Sequence, residues 1–236
     1  MDKAFFQDKE KPSVEETMYF LSARAFAYDL LKCIFLYEPS RKFLTLLIEG
    51  EMFQAFPFYD FDTDSGRAID MILGYLKQFD VTLKNEYQNL RWDYTRMFIG
   101  PGEAQAPPWE SIYTDVKRLY FSKETLKVRN SYRKYNLSPS RFGHEPDDHI
   151  GIELDFMHKL CDMAKEMTEC NDENGLLEIL KDQKIFLDDH LLKWVTAWSR
   201  DVVKSAETYF YKGSAQLLNA YIRIDGQLLE AFIAVT

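Results

Sequence analysis

The chain has 236 residues, of which 46% are hydrophobic and 15% aromatic, and it carries a formal net charge of −9. This length and composition allow one substantial hydrophobic core, in one large domain or in two closely packed halves. The negative charge argues against nucleic acid or an anionic membrane as the partner, because neutralising phosphates requires clustered lysine and arginine. It leaves room for a basic partner.

The N-terminal segment lacks the basic region, apolar core and small-residue cleavage site of a secretory signal. The longest apolar run is interrupted by Asp29 and Lys32, which disfavours a transmembrane helix. We therefore expect a soluble protein that stays in the cytoplasm, with no integral membrane segment. The cysteines Cys33, Cys161 and Cys170 have no CxxC spacing, which indicates reduced thiols rather than disulfides or a zinc site.

Helical periodicity dominates the chain and strand-like alternation is nearly absent, so we predict an all-α fold, a bundle of about ten helices in one domain. Ser13 and Glu16 form a capping-box pattern that opens a helix ending near Tyr37. Further helices are predicted at about 40–48, 64–79, 82–99, 110–115, 122–135, 148–170, 176–189 and 190–232, the last with a break near Gly213.

The fourth predicted helix has apolar residues at helical spacing, which predicts a buried stripe of Leu83, Tyr87, Leu90, Tyr94 and Met97. Trp92 falls about half a turn away, on the face that we expect to be wet. Either another helix covers Trp92 or this side chain belongs to a contact surface.

A stiff loop, residues 100–109, follows this helix, with prolines that forbid helix and glycines that permit turns. Pro107, Pro108 and Trp109, backed by Tyr113, hold a large amphipathic ring on this rigid loop. The ring either anchors the loop into the core or forms part of a peptide-binding edge.

A second breaker-rich segment, residues 136–147, contains two prolines and a glycine. It is the predicted hinge between an N-terminal half, about 13–135, and a C-terminal half, about 148–236. Chains with such a hinge can exchange halves, so we expect a monomer or a domain-swapped homodimer.

The most informative segment, residues 145–157, places a proline and two aspartates just ahead of a histidine and an amphipathic helix. Asp148 is positioned to cap backbone amides, and His149 is positioned to turn toward a ligand. On a helical wheel, His149 and Glu153 fall within the apolar arc of this helix. Burying a carboxylate and an imidazole costs free energy unless the two groups are paired or bind a ligand. His149 and Glu153 therefore form either a buried pair at the hinge or part of a binding site.

The sequence contains no recognisable metal-binding or catalytic motif. His144, His149, Glu153 and His158 lie close in sequence, but only His149 and Glu153 share a helical face. There is no HExxH, no pair of ExxH motifs, no GxSxG elbow and no phosphate loop. We predict no metal, no cofactor and no catalytic residue, and a metal-dependent enzyme centred on His149 and Glu153 stays as an alternative. His190 is interpreted as a helix-start residue, followed by core tryptophans.

Three segments, 94–102, 106–113 and 145–157, together resemble the TorD/DmsD/NarJ family of redox-enzyme maturation chaperones, closest to its TorD/DmsD branch. The segment 186–194 also fits. The resemblance implies an all-α, non-catalytic cytoplasmic protein that binds the twin-arginine signal peptide of a molybdenum-cofactor oxidoreductase. Its partners would be that peptide and the apo form of the oxidoreductase, whose maturation it would assist before export. A helical scaffold without a peptide groove is a further alternative.

The resemblance also implies client-binding residues, which fall on Tyr94, Met97, Phe98, Pro108, Trp109, Asp148 and His149. Tyr94 stands where some members have Trp and Met97 where Leu is usual, so the identity of the client is open. A twin-arginine peptide has a cationic stretch followed by an apolar one. A binding site for it should combine acidic groups with an apolar groove. This requirement adds Glu110 and Asp147 to the predicted site. The motif residues with an expected structural role are Gly100, Pro101, Tyr113, Glu145, Pro146 and Glu153.

Overall fold

A computed structural model of the chain describes residues 11–100, 102–115, 123–138 and 145–236. Within these ranges the chain is all-α and has no strand, which confirms the predicted fold class. Its helices are α1 (Val14–Leu36), α2 (Arg41–Glu49), α3 (Thr63–Leu76), α4 (Lys84–Tyr94), α5 (Glu110–Thr114), α6 (Lys123–Lys134), α7 (Ile150–Glu169), α8 (Glu173–Phe186), α9 (Leu192–Ser205) and α10 (Tyr209–Ile233). Pro101, His144 and the middle of the predicted hinge lie outside the described residues.

The capping box at the start of α1 is present, as predicted. The Ser13 hydroxyl accepts from the Glu16 N–H at 3.2 Å, and the Glu16 carboxylate accepts from the Ser13 N–H at 2.9 Å. Two of the amides that a helix start leaves unsatisfied are thereby paired. The helix ends at Leu36, where Tyr37 adopts an extended backbone.

Helices of both predicted halves pack around one core. The central helix α1 lies along α7 and also contacts α10, while α3 and α9 pack against α10. A fully buried polar network joins α1, α8 and α10: Arg24 donates to the carboxylate of Asp225 at 2.6 and 2.9 Å, and to Gln183. The Tyr28 hydroxyl also donates to Asp225, at 2.5 Å. Because breaking a buried ion pair leaves an uncompensated charge, this network favours one register of α1 on α8 and α10.

Gly151 explains how α7 begins so close to the end of α1. A Cβ atom at this position would lie 2.5 Å from Leu36 Cβ and 2.8 Å from Leu36 Cα. Such distances exclude any side chain without a shift of the backbone. Gly151 therefore fixes the start of α7, and with it the positions of Asp148 and His149.

The predicted helix break near Gly213 is wrong. The break lies at residues 206–208, and Gly213 is inside α10. A Cβ atom on Gly213 would lie 2.6 Å from Ile72 Cγ1 and 2.9 Å from the Ala68 carbonyl oxygen of α3. This glycine permits close packing of two helices instead of ending one.

Two further details of the helices differ from prediction. His190 does not start a helix: it lies in a π-helical turn, Leu187–Leu191, within continuous helical backbone from α8 to α9. Leu83 does not belong to the buried stripe, because it precedes α4 and is 50% exposed, whereas Leu90, Tyr94 and Met97 are buried. Trp92 is 68% exposed, which confirms that it lies on a solvent-exposed face of α4, as predicted.

The three cysteines are free, as expected. In the part of the chain that the structure describes, none of the helices combines the length and apolar character needed to cross a bilayer.

Candidate functional site

The first of the family-like segments, which begins at Tyr94, forms the end of α4 and the loop that follows it. α4 continues into a π-helical turn, Thr95–Ile99, and stops at Gly100, whose φ of 68° favours glycine. The following loop folds back on this turn, since Ala106 donates its N–H to the Met97 carbonyl at 2.9 Å. The loop is therefore held against the helix it follows.

Tyr94, Met97 and Phe98 lie in the core. They are 4%, 0% and 3% exposed, and the Tyr94 hydroxyl donates to the Phe35 carbonyl at 3.1 Å. The Phe98 ring stacks on Trp198 with a centroid distance of 5.9 Å. In this conformation a peptide cannot reach the three side chains, which contribute to the packing of the core.

The Pro-Trp loop and the start of α7 meet through backbone hydrogen bonds. The Ile150 N–H donates to the Pro108 carbonyl at 2.8 Å, and the Glu110 N–H donates to the Asp148 carbonyl at 2.9 Å. Trp109 and His149 form an antiparallel bridge between them, with the two rings edge to face at 6.1 Å. We call residues 108–110 and 148–150 the Trp–His junction.

Two neighbouring residues of the junction, Asp148 and His149, cap two different helices. Asp148 Oδ2 accepts from the Ser111 N–H at 2.9 Å, so Asp148 caps the start of α5 rather than α7. His149 Nδ1 accepts from the Gly151 N–H at 3.0 Å, so the His149 ring caps α7. The expected turn of His149 toward a ligand is therefore replaced by a capping role in this structure.

α6 supports the junction from the side. Arg129 donates to the Asp147 carboxylate, and the Tyr132 hydroxyl donates to the Asp147 carbonyl at 2.9 Å. Asp147 and Pro146 are buried, while Glu145 is half-buried. Asp147 thus connects α6 to α7 and is not open to a basic ligand.

Three buried carboxyl groups gather below the junction. Glu110, Asp148 and Glu153 are all 0% exposed. Glu110 Oε2 lies 2.9 Å from His190 Nδ1, and Glu153 Oε2 accepts from Trp194 Nε1 at 3.2 Å. In the described ranges, no N–H or hydroxyl group donates to the second oxygen of any of the three.

Burial is the main cause that raises the pKa of Glu153 well above its ordinary value of 4.5. The charges of Glu110 and Asp148 act in the same direction, and so does a hydrogen bond between Glu153 and Glu110. A proton on Glu153 supplies the donor that the two facing carboxyl groups otherwise lack. The raised pKa therefore favours the protonated form of Glu153, hydrogen-bonded to Glu110.

Glu153 and His149 both point inward, as the helical wheel predicts. The two residues do not form a simple His–Glu pair. Glu153 is hydrogen-bonded to Trp194 and Glu110. The histidine that contacts Glu110 is His190. The Glu110–His190 contact joins residues 80 positions apart, and nothing in the local sequence indicates it. Within the described residues, no group of three or more His, Cys, Asp or Glu is arranged to hold a metal ion.

Asp93 is a second positioning residue that the sequence did not indicate. This buried carboxylate of α4 accepts from the Glu207 and Thr208 N–H groups at 3.0 and 2.8 Å, and from the Thr208 hydroxyl at 2.6 Å. It also pairs with Arg96 at 2.6 Å. Asp93 therefore attaches the start of α10 to α4.

The chain belongs to the family described as nitrate reductase delta subunit, whose model matches residues 60–200. The chain is 26% identical to the chaperone protein TorD of Aliivibrio salmonicida over 223 residues, which cover 92% of this chain and 99% of that protein. It is 27% identical to the "Probable Tat proofreading chaperone DmsD" of Haemophilus influenzae, over 80% of this chain and 82% of that protein. The resemblance to TorD and DmsD proteins is confirmed.

A solved structure shares the fold. It is the crystal structure of a candidate redox enzyme maturation protein from Archaeoglobus fulgidus, with a TM-score of 0.51 and 20% sequence identity. The match covers 84% of this chain and 93% of that chain. At this level of identity the likeness concerns the fold alone.

Proposed function

We propose that this protein is a redox-enzyme maturation chaperone that binds the twin-arginine signal peptide of a molybdenum-cofactor oxidoreductase in the cytoplasm. It assists the maturation of this client before export. The observation that carries the proposal is similarity to a named TorD chaperone along nearly the whole of both chains. The relatives are named as chaperones and not as enzymes, which supports a role without catalysis.

The burial of the motif residues limits how they take part. Of the nine residues predicted to contact the peptide, Trp109 alone is half-buried, and the other eight are buried. Trp109 is thus the member of this set that a peptide reaches first. The buried members position Trp109: Pro108, Asp148 and His149 through the junction, and Met97 through the loop backbone.

The metal-dependent enzyme is the weaker alternative on geometry. The Nδ1 lone pair of His149 is engaged by the Gly151 N–H, and Glu153 is bonded within the buried acid cluster. A catalytic metal needs ligands with free lone pairs around an open position. The two residues do not offer that arrangement in this structure.

Capture of the client from cells tests the proposal. The tagged protein is expressed in its own organism under anaerobic growth, and bound proteins are identified by mass spectrometry. We expect a molybdoenzyme precursor with its signal sequence intact, and we expect its yield to drop when the two arginines are changed to glutamine. Equal capture of the mature enzyme and the precursor would argue for a scaffold instead, and absence of any molybdoenzyme would contradict the proposal.

A further inference from the structure

A groove with a volume of about 740 Å³ lies between the C-terminal half of α3, the first half of α4 and the start of α10. We call it the α3–α4 groove. Its volume is in the range of sites that hold several side chains of a ligand. Neither the family motifs nor the buried acid cluster contributes to its lining.

The walls of this groove are fixed relative to one another. Asp93 of α4 bonds to the backbone of Glu207 and Thr208, which line the groove at the start of α10. The opposite wall is α3, which packs along α10. The groove is therefore formed before any ligand arrives, and binding does not have to order its walls.

Aromatic side chains give the groove an apolar surface. Tyr75 stacks on Phe79 with a centroid distance of 5.6 Å, and Tyr209 stands at the rim with 59% of its surface exposed. Trp92, which is 68% exposed, follows the lining residue Asn89 by three positions on α4, so the two are neighbours on the helix surface. Exposed aromatic side chains such as Tyr209 and Trp92 are typical of contact surfaces.

The charged lining of the groove is acidic. The charged residues that line it, in the part of the chain that the structure describes, are Asp70, Glu86 and Glu207. Glu207 pairs with Arg96, and Glu86 accepts from the Asp80 N–H at 2.6 Å. Burial raises the pKa of Tyr75 to about 12, and the charges of Glu86 and Asp93 add to this shift, as expected in a negative field.

Two other grooves are smaller, and cationic side chains outnumber carboxylates in their linings. The groove between α6 and α8, about 400 Å³, is lined by Lys127, Lys134 and Lys193, with two aspartates. The groove between α9, α10 and the start of α3, about 490 Å³, is lined by four cations and one aspartate: Arg67, Arg200, Lys204 and Arg223, with Asp64. By charge, these two linings suit a cationic peptide less well than the lining of the α3–α4 groove does.

We propose that the α3–α4 groove binds the basic segment of the client's signal peptide. Asp70 pairs with an arginine of this segment, and Tyr209 packs against the adjoining apolar residue. This placement rests on the proposed function, because it takes a twin-arginine peptide as the ligand. Arg96 lies between the groove and the Pro-Trp loop: its guanidinium contacts Glu207, and its carbonyl accepts from the Gln105 N–H at 3.4 Å. The apolar part of the peptide extends past Arg96 toward Trp109.

Fluorescence anisotropy with a labelled twin-arginine signal peptide tests the placement. The variants are Asp70→Lys and Tyr209→Ala, both at exposed positions where folding tolerates a change. The matched control is Glu230→Lys, which makes the same charge change on an exposed residue of α10, about 30 Å along the helix from Tyr209. We expect about tenfold weaker binding for Asp70→Lys and severalfold weaker binding for Tyr209→Ala, with little change for the control.

A second peptide, with both arginines changed to glutamine, shows whether Asp70 responds to the peptide's charge. Asp70→Lys should then have no further effect, and its effect on the original peptide should shrink at high salt. Equal affinities of Asp70→Lys, Tyr209→Ala and Glu230→Lys for the original peptide would overturn the placement and leave the proposed function intact. Failure of the unmodified protein to bind any twin-arginine peptide would overturn both.

Discussion

The carboxyl groups of Glu153, in α7, and Glu110, in α5, face each other in the interior, and both side chains are fully buried. This relationship links the Pro-Trp loop to α7, the helix that His149 caps. Two ionised carboxylates cannot share such a site at low cost, so one must hold a proton. Burial and the neighbouring carboxyl groups raise the pKa of Glu153, which favours the proton on this residue.

This pair predicts that stability falls as the pH rises. The pKa of Glu153 is higher in the folded chain than its ordinary value of 4.5, so the folded state binds more protons between those two pKa values. Its stabilising contribution is complete below pH 4.5 and is lost as the pH rises through the folded pKa. Asp148 and Glu110 act on Glu153 from the junction and α5, and Tyr132 of α6 lies near it.

Glu153→Gln tests this directly, because glutamine mimics the protonated carboxyl. We expect the free energy of unfolding at pH 8 to rise by about 1 kcal/mol, with a flatter pH dependence, in urea titrations from pH 5 to 9. Glu166→Gln, an exposed change on the same helix, is the control. A Glu153→Gln protein that is less stable than the unmodified chain at pH 8 would contradict the shared proton.

His149 should contribute to stability through its cap on α7. His149→Ala is expected to lower the free energy of unfolding by about 1 kcal/mol, whereas His149→Asn, a good capping residue, should restore most of it. Because the His149 ring packs edge to face on Trp109, His149→Asn should still bind peptide severalfold more weakly. Equal stability of the alanine and asparagine proteins would show that the cap contributes little.

Trp109 should affect affinity more than stability. Trp109→Ala is expected to cost about 2 kcal/mol in peptide binding, because half-buried aromatic anchors often dominate peptide interfaces. Trp198→Ala is the comparison: this ring is fully buried, and its loss should cost about 3–5 kcal/mol of folding stability. Calorimetric binding and thermal melts separate the two effects. A folded Trp109→Ala protein with affinity within about twofold of the unmodified chain would exclude Trp109 as an anchor.

The hinge at residues 136–147 remains a prediction, and it has a hydrodynamic test. Since α1 packs on α7 and α3 on α10, two chains could exchange their C-terminal halves and keep these contacts. We expect gel filtration to resolve a monomer and a dimer that interconvert slowly. Deleting residues 139–142 should shift the balance toward the dimer, because a short connection prevents closure within one chain. A single monomeric species at all concentrations and hinge lengths would contradict the predicted exchange of C-terminal halves.

Local signals in the sequence predicted local structure well. The capping box at Ser13 and the wet face of Trp92 depend on neighbouring residues alone, and both are confirmed. Gly213 was misjudged because a glycine either ends a helix or permits close packing, and the choice depends on the distant helix α3. The Glu110–His190 contact and the attachment of α10 by Asp93 likewise depend on residues far apart in the chain.

Two predictions for the end of α4 conflicted with each other. The helical stripe placed Tyr94 and Met97 in the core, whereas the family resemblance implied that they contact the client. The structure agrees with the stripe, as both side chains are buried. The periodicity of apolar residues therefore described packing, and peptide contact at these positions would require a different conformation of the loop.

Isothermal titration calorimetry of the unmodified protein tests the central claim most directly. The ligands are synthetic twin-arginine signal peptides of the molybdoenzymes encoded in the same genome, each paired with a version in which both arginines are glutamine. We predict that one peptide binds with one-to-one stoichiometry and a Kd of about 10 µM or tighter, and that its glutamine version binds at least about tenfold more weakly. Folded protein that binds no peptide of the set, or that binds both versions equally, would contradict the claim that this chaperone recognises a twin-arginine signal.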